Sequence, residues 1–147
     1  MPIIHEKKIL PYSSQEIFQL VIHVDDYPNF LPWAQSARVY NKTESGFDAD
    51  LTIGYKMFEE TYTSKVEFKN EEDQYFQVKT TATHGPFEYL TNCWKINFVE
   101  LKQCEVDFSL NFEFKSSWFS GLLTPVFHQA TLKMMEAFEK RAHERFR

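Results

Sequence analysis

Glycine and cysteine are both scarce in this chain of 147 residues, which has four glycines and two cysteines. The glycines form neither a phosphate-binding loop motif nor a dinucleotide-binding motif, so no nucleotide cofactor is predicted. Two cysteines cannot ligate a structural zinc ion by themselves, and the five histidines are scattered along the sequence. We therefore expect no metal and no cofactor, and we interpret both cysteines as unpaired thiols.

Long apolar segments and an excess of positive charge are also absent. The N-terminus has no hydrophobic stretch long enough for a secretory signal, and no apolar run approaches the roughly 20 residues that span a bilayer. The formal net charge of −5 opposes binding to phosphate backbones. These features predict a cytoplasmic protein and exclude DNA as an expected partner.

Aromatic residues, in contrast, are abundant: 15 Phe, 7 Tyr and 3 Trp make up 17% of the chain. Such residues favour pleated sheets and large apolar surfaces. The length suits one domain, and no stretch has the composition of a linker, so residues 1–147 are predicted to form a single domain.

From residue 35 onward the apolar residues alternate with polar ones, which predicts six strands in three hairpins. The alternation is strict over residues 106–114, as expected for a strand with one buried and one solvated face. Matching the apolar faces predicts these pairs: Ala37 with Ile53, Val39 with Leu51, Val66 with Val78, Phe68 with Phe76, Trp94 with Phe108, and Phe98 with Cys104. Cys104 then points inward and Cys93 outward, so the two thiols cannot form a disulfide.

Helices are predicted at both ends of this strand region. Ser13 and Glu16 have capping-box spacing before a short helix, and a second short helical turn follows it. Near the C-terminus, Thr124 and Pro125 are interpreted as the N-cap and first residue of a long helix over about residues 125–145. Its predicted apolar stripe is Val126, Phe127, Ala130, Met134, Ala137, Phe138 and Ala142, with Met135 half exposed beside it.

The order of strand, two short helices, six strands and a long helix predicts an α+β fold. This order, together with several motifs, resembles the START-like (SRPBCC, helix-grip) domains of the polyketide cyclase/dehydrase superfamily. Within that superfamily the chain is similar to the group of the coenzyme Q-binding protein and the ribosome-association toxin RatA. The segments that carry the resemblance are residues 10–13, 24–33 (Val-Asp-Asp-Tyr-Pro-Asn-Phe-Leu-Pro-Trp), 85–87, 106–108, 112–115 and 137–142. The resemblance implies a seven-stranded antiparallel sheet around the long C-terminal helix.

The resemblance also implies a function. The first expectation is non-catalytic binding of ubiquinone or a similar prenylated, hydrophobic small molecule in the helix–sheet cavity, supporting respiratory electron transport or quinone biosynthesis. The alternative is a RatA-type toxin that binds a ribosomal subunit and blocks subunit association. The aromatic inward faces and the negative net charge favour the first.

An enzyme is a third alternative, because the wider superfamily includes aromatase/cyclases. Acid–base catalysis needs titratable groups held inside the pocket. The inward positions offer only Glu60 and Glu88, both near strand ends, so we predict no catalytic residue and no enzymatic activity.

The predicted ligand-binding residues are Phe30, Trp33, Tyr62, Leu90, Asn92, Trp94, Phe127, Ala130, Met134 and Phe138. Tyr62, Ser64 and Asn92 are expected to face inward, where they can hydrogen-bond a head-group oxygen of the ligand or satisfy buried backbone groups. The apolar segment that contains Phe30 and Trp33 either lines the pocket mouth, contacts a membrane surface or packs onto the core. Contact with a membrane would place the protein peripherally at the inner membrane.

Overall fold

The computed structural model describes residues 3–55, 58–71 and 74–146 of the chain. Its strands are β1 (Ile3–Leu10), β2 (Ala34–Tyr40), β3 (Gly46–Tyr55), β4 (Phe58–Glu71), β5 (Tyr75–His84), β6 (Phe87–Glu100) and β7 (Gln103–Phe114). Its helices are α1 (Ser14–Ile22), a 3₁₀ helix (Val24–Asn29), α2 (Ser117–Leu132) and α3 (Met134–Phe146). The element order and the α+β helix-grip fold predicted from the sequence are confirmed.

The strands form one seven-stranded antiparallel sheet in the order β1-β7-β6-β5-β4-β3-β2. The predicted pairs of the last hairpin are confirmed, since Trp94 pairs with Phe108 and Phe98 with Cys104. The predicted registers of the other two hairpins are wrong by two residues: Ala37 pairs with Leu51, Val39 with Ala49, Val66 with Thr80, and Phe68 with Val78. A shift of two residues keeps every side chain on its predicted face, because the side-chain period of a strand is two.

The core lies on one face of this sheet. Every second residue of β7 from Cys104 to Phe114 is buried, and the aromatic rings of neighbouring strands contact one another there. Phe87 on β6 lies 4.7 Å, between ring centroids, from Phe114 on β7. Cys93 lies half-buried on the other face, and both cysteines are free thiols.

The capping box predicted for α1 is confirmed. Ser13 Oγ accepts a hydrogen bond from the Glu16 backbone N–H at 3.1 Å, and Glu16 Oε1 accepts one from the Ser13 backbone N–H at 3.0 Å. These bonds fix the start of the helix. Ile17 and Val21 on its inner side are buried, which anchors the chain just before the 3₁₀ helix and the segment that follows it.

The C-terminal helix begins earlier than predicted, at Ser117, and Pro125 lies inside it instead of at its first position. The prediction was wrong because the turn before Pro125 is itself anchored: Leu123 is buried in the core. The free energy gained by burying this apolar side chain offsets the loss of the backbone hydrogen bond that an internal proline removes.

The same helix is bent at Lys133, between α2 and α3. There the Thr131 hydroxyl donates to the backbone carbonyls of Phe127 and His128, both at 3.0 Å. The Lys133 N–H donates to the Ala130 carbonyl three residues back. Side-chain bonds of this kind compete with the helical backbone bonds and bend helices.

The face that α2 and α3 turn to the sheet differs from the predicted stripe. Its buried residues are Leu123, Phe127, Thr131, Met134, Met135, Phe138 and Ala142. Met135 is 1% exposed, so its predicted half exposure is wrong, whereas Val126, Ala130 and Ala137 are only half-buried. None of the helices in the described part of the chain is long and apolar enough to cross a membrane.

Candidate functional site

A cavity of about 1040 Å³ lies along one side of α2 and α3, between these helices and one end of the sheet. Its walls are the helices, the end of β3 with the start of β4, and residues 28–33, which we call the knuckle. The apolar described residues that line it include Phe30, Leu31, Trp33, Ile53, Phe114, Val126, Phe127, Ala130 and Ala137. The volume is at the upper end of the range of about 300–1,000 Å³ typical of small-molecule sites, and the apolar lining suits a hydrophobic ligand.

Charged side chains also border the cavity, and both signs are represented. Among the described lining residues are four glutamates and three basic residues: Glu59, Glu60, Glu136, Glu144, Lys133, Lys140 and Arg141. Most of them are exposed to solvent. With the two signs nearly balanced, the border offers no strong field that would select a charged ligand, and it favours a neutral one.

The knuckle is fixed in place by buried aromatic contacts. The Tyr27 hydroxyl donates to the Val21 carbonyl at 2.5 Å, and the Phe30 ring meets the Phe138 ring edge-on at 5.1 Å. The Trp33 carbonyl accepts a hydrogen bond from the Gly54 N–H at 2.9 Å, which ties the knuckle to β3. Two of the three alternatives predicted for this segment therefore hold together: the knuckle packs onto the core and lines the cavity.

An ion pair joins the 3₁₀ helix to α3 beside the knuckle. Arg141 donates to both carboxylate oxygens of Asp26, and its guanidinium lies 5.4 Å from the centre of the Phe30 ring. Burial by itself would raise the pKa of Asp26, but hydrogen bonds from Asn29 and Arg141 and the charges of Arg141 and Arg145 hold it below its ordinary value. Asp26 is therefore ionised at neutral pH.

A second, smaller space lies between the helices and the inner face of the sheet. This chamber measures about 60 Å³ and is far smaller than the large cavity. Its polar lining residues include Tyr62, Ser64, Thr80, Asn92 and Thr131. Asn92 Nδ2 donates to the Ser109 carbonyl at 2.9 Å, whereas Ser64 Oγ has no hydrogen-bond partner among the described residues.

The polar groups that line the chamber are hydroxyls and an amide, which form hydrogen bonds. Burial raises the pKa of the Tyr62 hydroxyl far above its ordinary value of 10, so it stays protonated. None of the described residues that line the chamber carries a carboxylate, an imidazole or an amine. The chamber can donate and accept hydrogen bonds, but its described lining offers no group of the kind that exchanges protons near neutral pH.

The ten predicted ligand-binding residues divide among three places. Tyr62, Leu90, Asn92 and Met134 line the chamber, Phe30 and Ala130 line the large cavity, and Trp33 and Phe127 line both. Trp94 and Phe138 contact each other at 4.7 Å in the core, and neither is among the described lining residues of the two spaces. Ala130 lines the large cavity together with Ile53 and Phe114 of the sheet. Whether these residues bind a ligand stays a prediction.

The sequence prediction missed several lining residues. Ile53 and Arg141 line the large cavity, and Thr131 lines the chamber. Leu31 also lines the large cavity, in agreement with the expectation that its segment borders the pocket. Arg141 lies within a segment that carried the family resemblance, which was the available signal. Thr131 carried no such signal in the sequence. It is a polar residue within the apolar stripe, and its hydroxyl bonds to carbonyls of its own helix.

Comparison with known proteins agrees with the fold and the motifs. The family described as polyketide cyclase / dehydrase and lipid transport matches residues 10–139. The ribosome association toxin RatA of Rickettsia prowazekii is 36% identical over 137 residues, covering 93% of each chain. The mitochondrial coenzyme Q-binding protein COQ10 of Drosophila melanogaster is 31% identical over 95% of this chain and 58% of its own length. The Zhui aromatase/cyclase from Streptomyces sp. R1128 shares the fold, with a TM-score of 0.83 at 10% identity, over 99% of this chain and 96% of its own. This chain belongs to the polyketide cyclase / dehydrase and lipid transport family, and RatA and COQ10 are its relatives within it.

Proposed function

We propose that this protein reversibly binds ubiquinone or a similar prenylated lipid in the large cavity, without turnover, in support of respiratory electron transport or quinone biosynthesis. The observation that carries the proposal is the cavity of about 1040 Å³ between the knuckle, α2 and α3, and one end of the sheet. A site of that size with a mostly apolar lining is typical of a hydrophobic small molecule. The relative named for coenzyme Q binding supports a quinone as that molecule.

The lining suits both parts of such a lipid. An isoprenoid tail gains roughly 25 cal/mol for each Å² of apolar surface that leaves water, and the rings of Phe30, Phe114 and Phe127 offer apolar surface to cover it. Ubiquinone is uncharged, which fits the near balance of acidic and basic groups at the border. No cofactor or metal is needed for binding of this kind.

The absence of turnover is part of the proposal. The described residues that line the chamber offer only hydroxyl, amide and apolar side chains, and the charged residues of the large cavity lie mainly at its exposed border. General acid–base catalysis needs a titratable group held against the reacting atoms. We therefore expect the ligand to leave chemically unchanged.

A second candidate function is a RatA-type interaction with a ribosomal subunit that blocks subunit association. The observation that favours it is the 36% identity to the RatA relative over 93% of both chains. Such a role would use an outer surface instead of the cavity. The net charge of −5 counts against it, because contacts with ribosomal RNA depend on cationic side chains.

Transient contact with a membrane surface also belongs to the proposal, since a prenylated quinone is far more stable in a bilayer than in water. The protein would then be cytoplasmic and meet the inner membrane only while it loads or releases its ligand. Co-flotation with vesicles that contain ubiquinone, compared with vesicles without it, tests this part.

The main experiment is extraction of the purified protein with organic solvent, followed by mass spectrometry for a bound quinone. An unrelated protein purified from the same host is the control for carry-over. Sedimentation with ribosomal subunits at two salt concentrations is run in parallel, because contacts with RNA weaken as salt rises. A stoichiometric quinone supports the proposal, whereas a clean extract with salt-sensitive binding to one subunit would replace it with the second candidate.

A further inference from the structure

The large cavity and the chamber are separated by two aromatic rings. Trp33 of the knuckle and Phe127 of α2 are the described residues that line both spaces. Their ring centroids are 6.0 Å apart, and the rings meet edge-on at 71°. Trp33 is only half-buried, so one side of this partition faces the open cavity. The two rings are in contact at this distance, so a flat group reaches the chamber only when the Trp33 ring moves away from Phe127.

The chamber has one hydroxyl that the protein itself leaves unsatisfied. Ser64 on β4 is 4% exposed, and its Oγ has no hydrogen-bond partner in the described structure. Burying a hydroxyl without a hydrogen-bond partner destabilises the folded state, so a partner from a bound molecule would be favourable at this position. Asn92 is already engaged through its donation to the Ser109 carbonyl. Within residues 3–55, 58–71 and 74–146, four other buried side-chain atoms lack partners, and their residues line neither space: Glu6 Oε2, Ser14 Oγ, Tyr89 OH and Asn111 Oδ1.

We propose that the chamber is a subsite for a carbonyl oxygen of the ligand, which accepts a hydrogen bond from Ser64. The inference rests on the proposed function, and it deepens that function by fixing the orientation of the lipid. About 60 Å³ admits one oxygen and the ring edge that bears it, but not an isoprenoid tail. The ring therefore enters past Phe127 as the Trp33 ring moves aside, and the tail lies in the large cavity. The chamber then selects neutral lipids with a carbonyl-bearing ring over lipids that are hydrocarbon throughout.

The test uses two ligands and two matched variants. Ubiquinone-2 carries the carbonyl-bearing ring, and geranylbenzene carries the same tail on a ring without oxygen atoms. Ser64→Ala removes the proposed donor, whereas Ser109→Ala makes the same change on the outward face of the sheet. Dissociation constants are measured by displacement of a fluorescent apolar dye. Melting temperatures confirm that both variants fold; Ser64→Ala should melt no lower than the unmodified protein, because it removes an unpaired hydroxyl.

We expect Ser64→Ala to weaken ubiquinone-2 binding by about 3- to 10-fold, the range for loss of one hydrogen bond. The affinity for geranylbenzene should stay within twofold, and Ser109→Ala should change the affinity for neither ligand.

Equal affinity of ubiquinone-2 for Ser64→Ala and the unmodified protein would overturn the subsite, with the chamber holding water, and would leave the proposed function standing. A parallel loss for both ligands would assign Ser64 a structural role and also overturn it. Failure of the unmodified protein to bind either ligand would overturn the proposed function and the subsite with it.

Discussion

Arg141 and Asp26 lie 115 residues apart in the chain and form an ion pair with two hydrogen bonds. Arg141 Nη2 is 3.0 Å from Asp26 Oδ1, and Arg141 Nε is 3.2 Å from Asp26 Oδ2. Each side chain is 19% exposed, so water screens the pair less than an ordinary surface pair. The bonds join α3 to the 3₁₀ helix that precedes the knuckle, and they therefore help to set the width of the large cavity.

The first prediction concerns this pair. Arg141→Ala should lower the free energy of unfolding by about 1–2 kcal/mol, because it leaves a partly buried carboxylate with fewer hydrogen bonds. The matched control is Arg145→Ala. Arg145 Nη1 lies 3.8 Å from Asp26 Oδ2 and its side chain is 54% exposed, so this change should cost at most about 0.5 kcal/mol. Urea titration of the three proteins measures both values. An equal loss of unfolding free energy in the two variants would show that the two hydrogen bonds from Arg141 add no stability.

The second prediction concerns acid. The pKa of Asp26 lies below its ordinary value of 3.8 in the folded state, so the unfolded chain takes up a proton first as pH falls. The stability due to ionised Asp26 is therefore complete above about pH 3.8 and is lost as pH falls through the depressed folded pKa. Asp26→Asn should be less stable than the unmodified protein at neutral pH, and the difference should shrink below pH 3.8. Urea titrations across that range measure it; a difference that disappears already between pH 7 and pH 5 would assign the effect to another group.

The third prediction concerns two glycines in opposite settings. Gly85 has a φ of +130°, and an added Cβ would lie 2.6 Å from Tyr62 Cβ. Gly85→Ala should therefore destabilise the fold by about 2 kcal/mol or more and disturb the Tyr62 side of the chamber. Gly121→Ala is the control: it lies in α2, an added Cβ meets nothing within 4 Å, and the helix should gain roughly 0.5–1 kcal/mol. Thermal unfolding measures both changes in stability. An unchanged melting temperature for Gly85→Ala would show that the turn accommodates the added methyl group.

The strands show what the sequence could and could not predict. Alternation of apolar and polar residues identified the buried face along most of the strands, because burial on one side of a sheet enforces a period of two. It was wrong at the start of β6, where a register shift between Phe87 and Tyr89 leaves Phe87 buried and Glu88, predicted to face inward, exposed. It could not fix how Val66 and Phe68 pair with β5, since a shift of two residues buries the same side chains. Between Phe98 and Cys104 the register was predicted correctly; the connection is shorter than in the other two hairpins and leaves fewer alternative pairings.

The candidate site was harder to predict than the fold. Alanines such as Ala130 suit either face of an amphipathic helix, and the buried Thr131 interrupts the apolar stripe that would have marked the true inner face. The large cavity is a gap between elements that are distant in sequence, namely the knuckle, the β3–β4 end and the C-terminal helices. No local pattern of residues encodes a gap between segments so far apart in the chain.

The last prediction tests the cavity by filling it. Ala130 is half-buried and lines the large cavity, so the ring of Ala130→Trp should occupy the space that the ligand needs without displacing packed atoms. Binding of ubiquinone-2 should fall more than 10-fold, while the melting temperature changes by only a few degrees. Leu132→Trp is the matched control, because Leu132 is exposed and is not among the described residues that line the cavity; its binding should be unchanged. If Ala130 were plain core, overpacking would cost about 1–3 kcal/mol, which corresponds to a drop of several degrees in melting temperature. Such a drop, or full binding by Ala130→Trp, would place the ligand elsewhere on the protein.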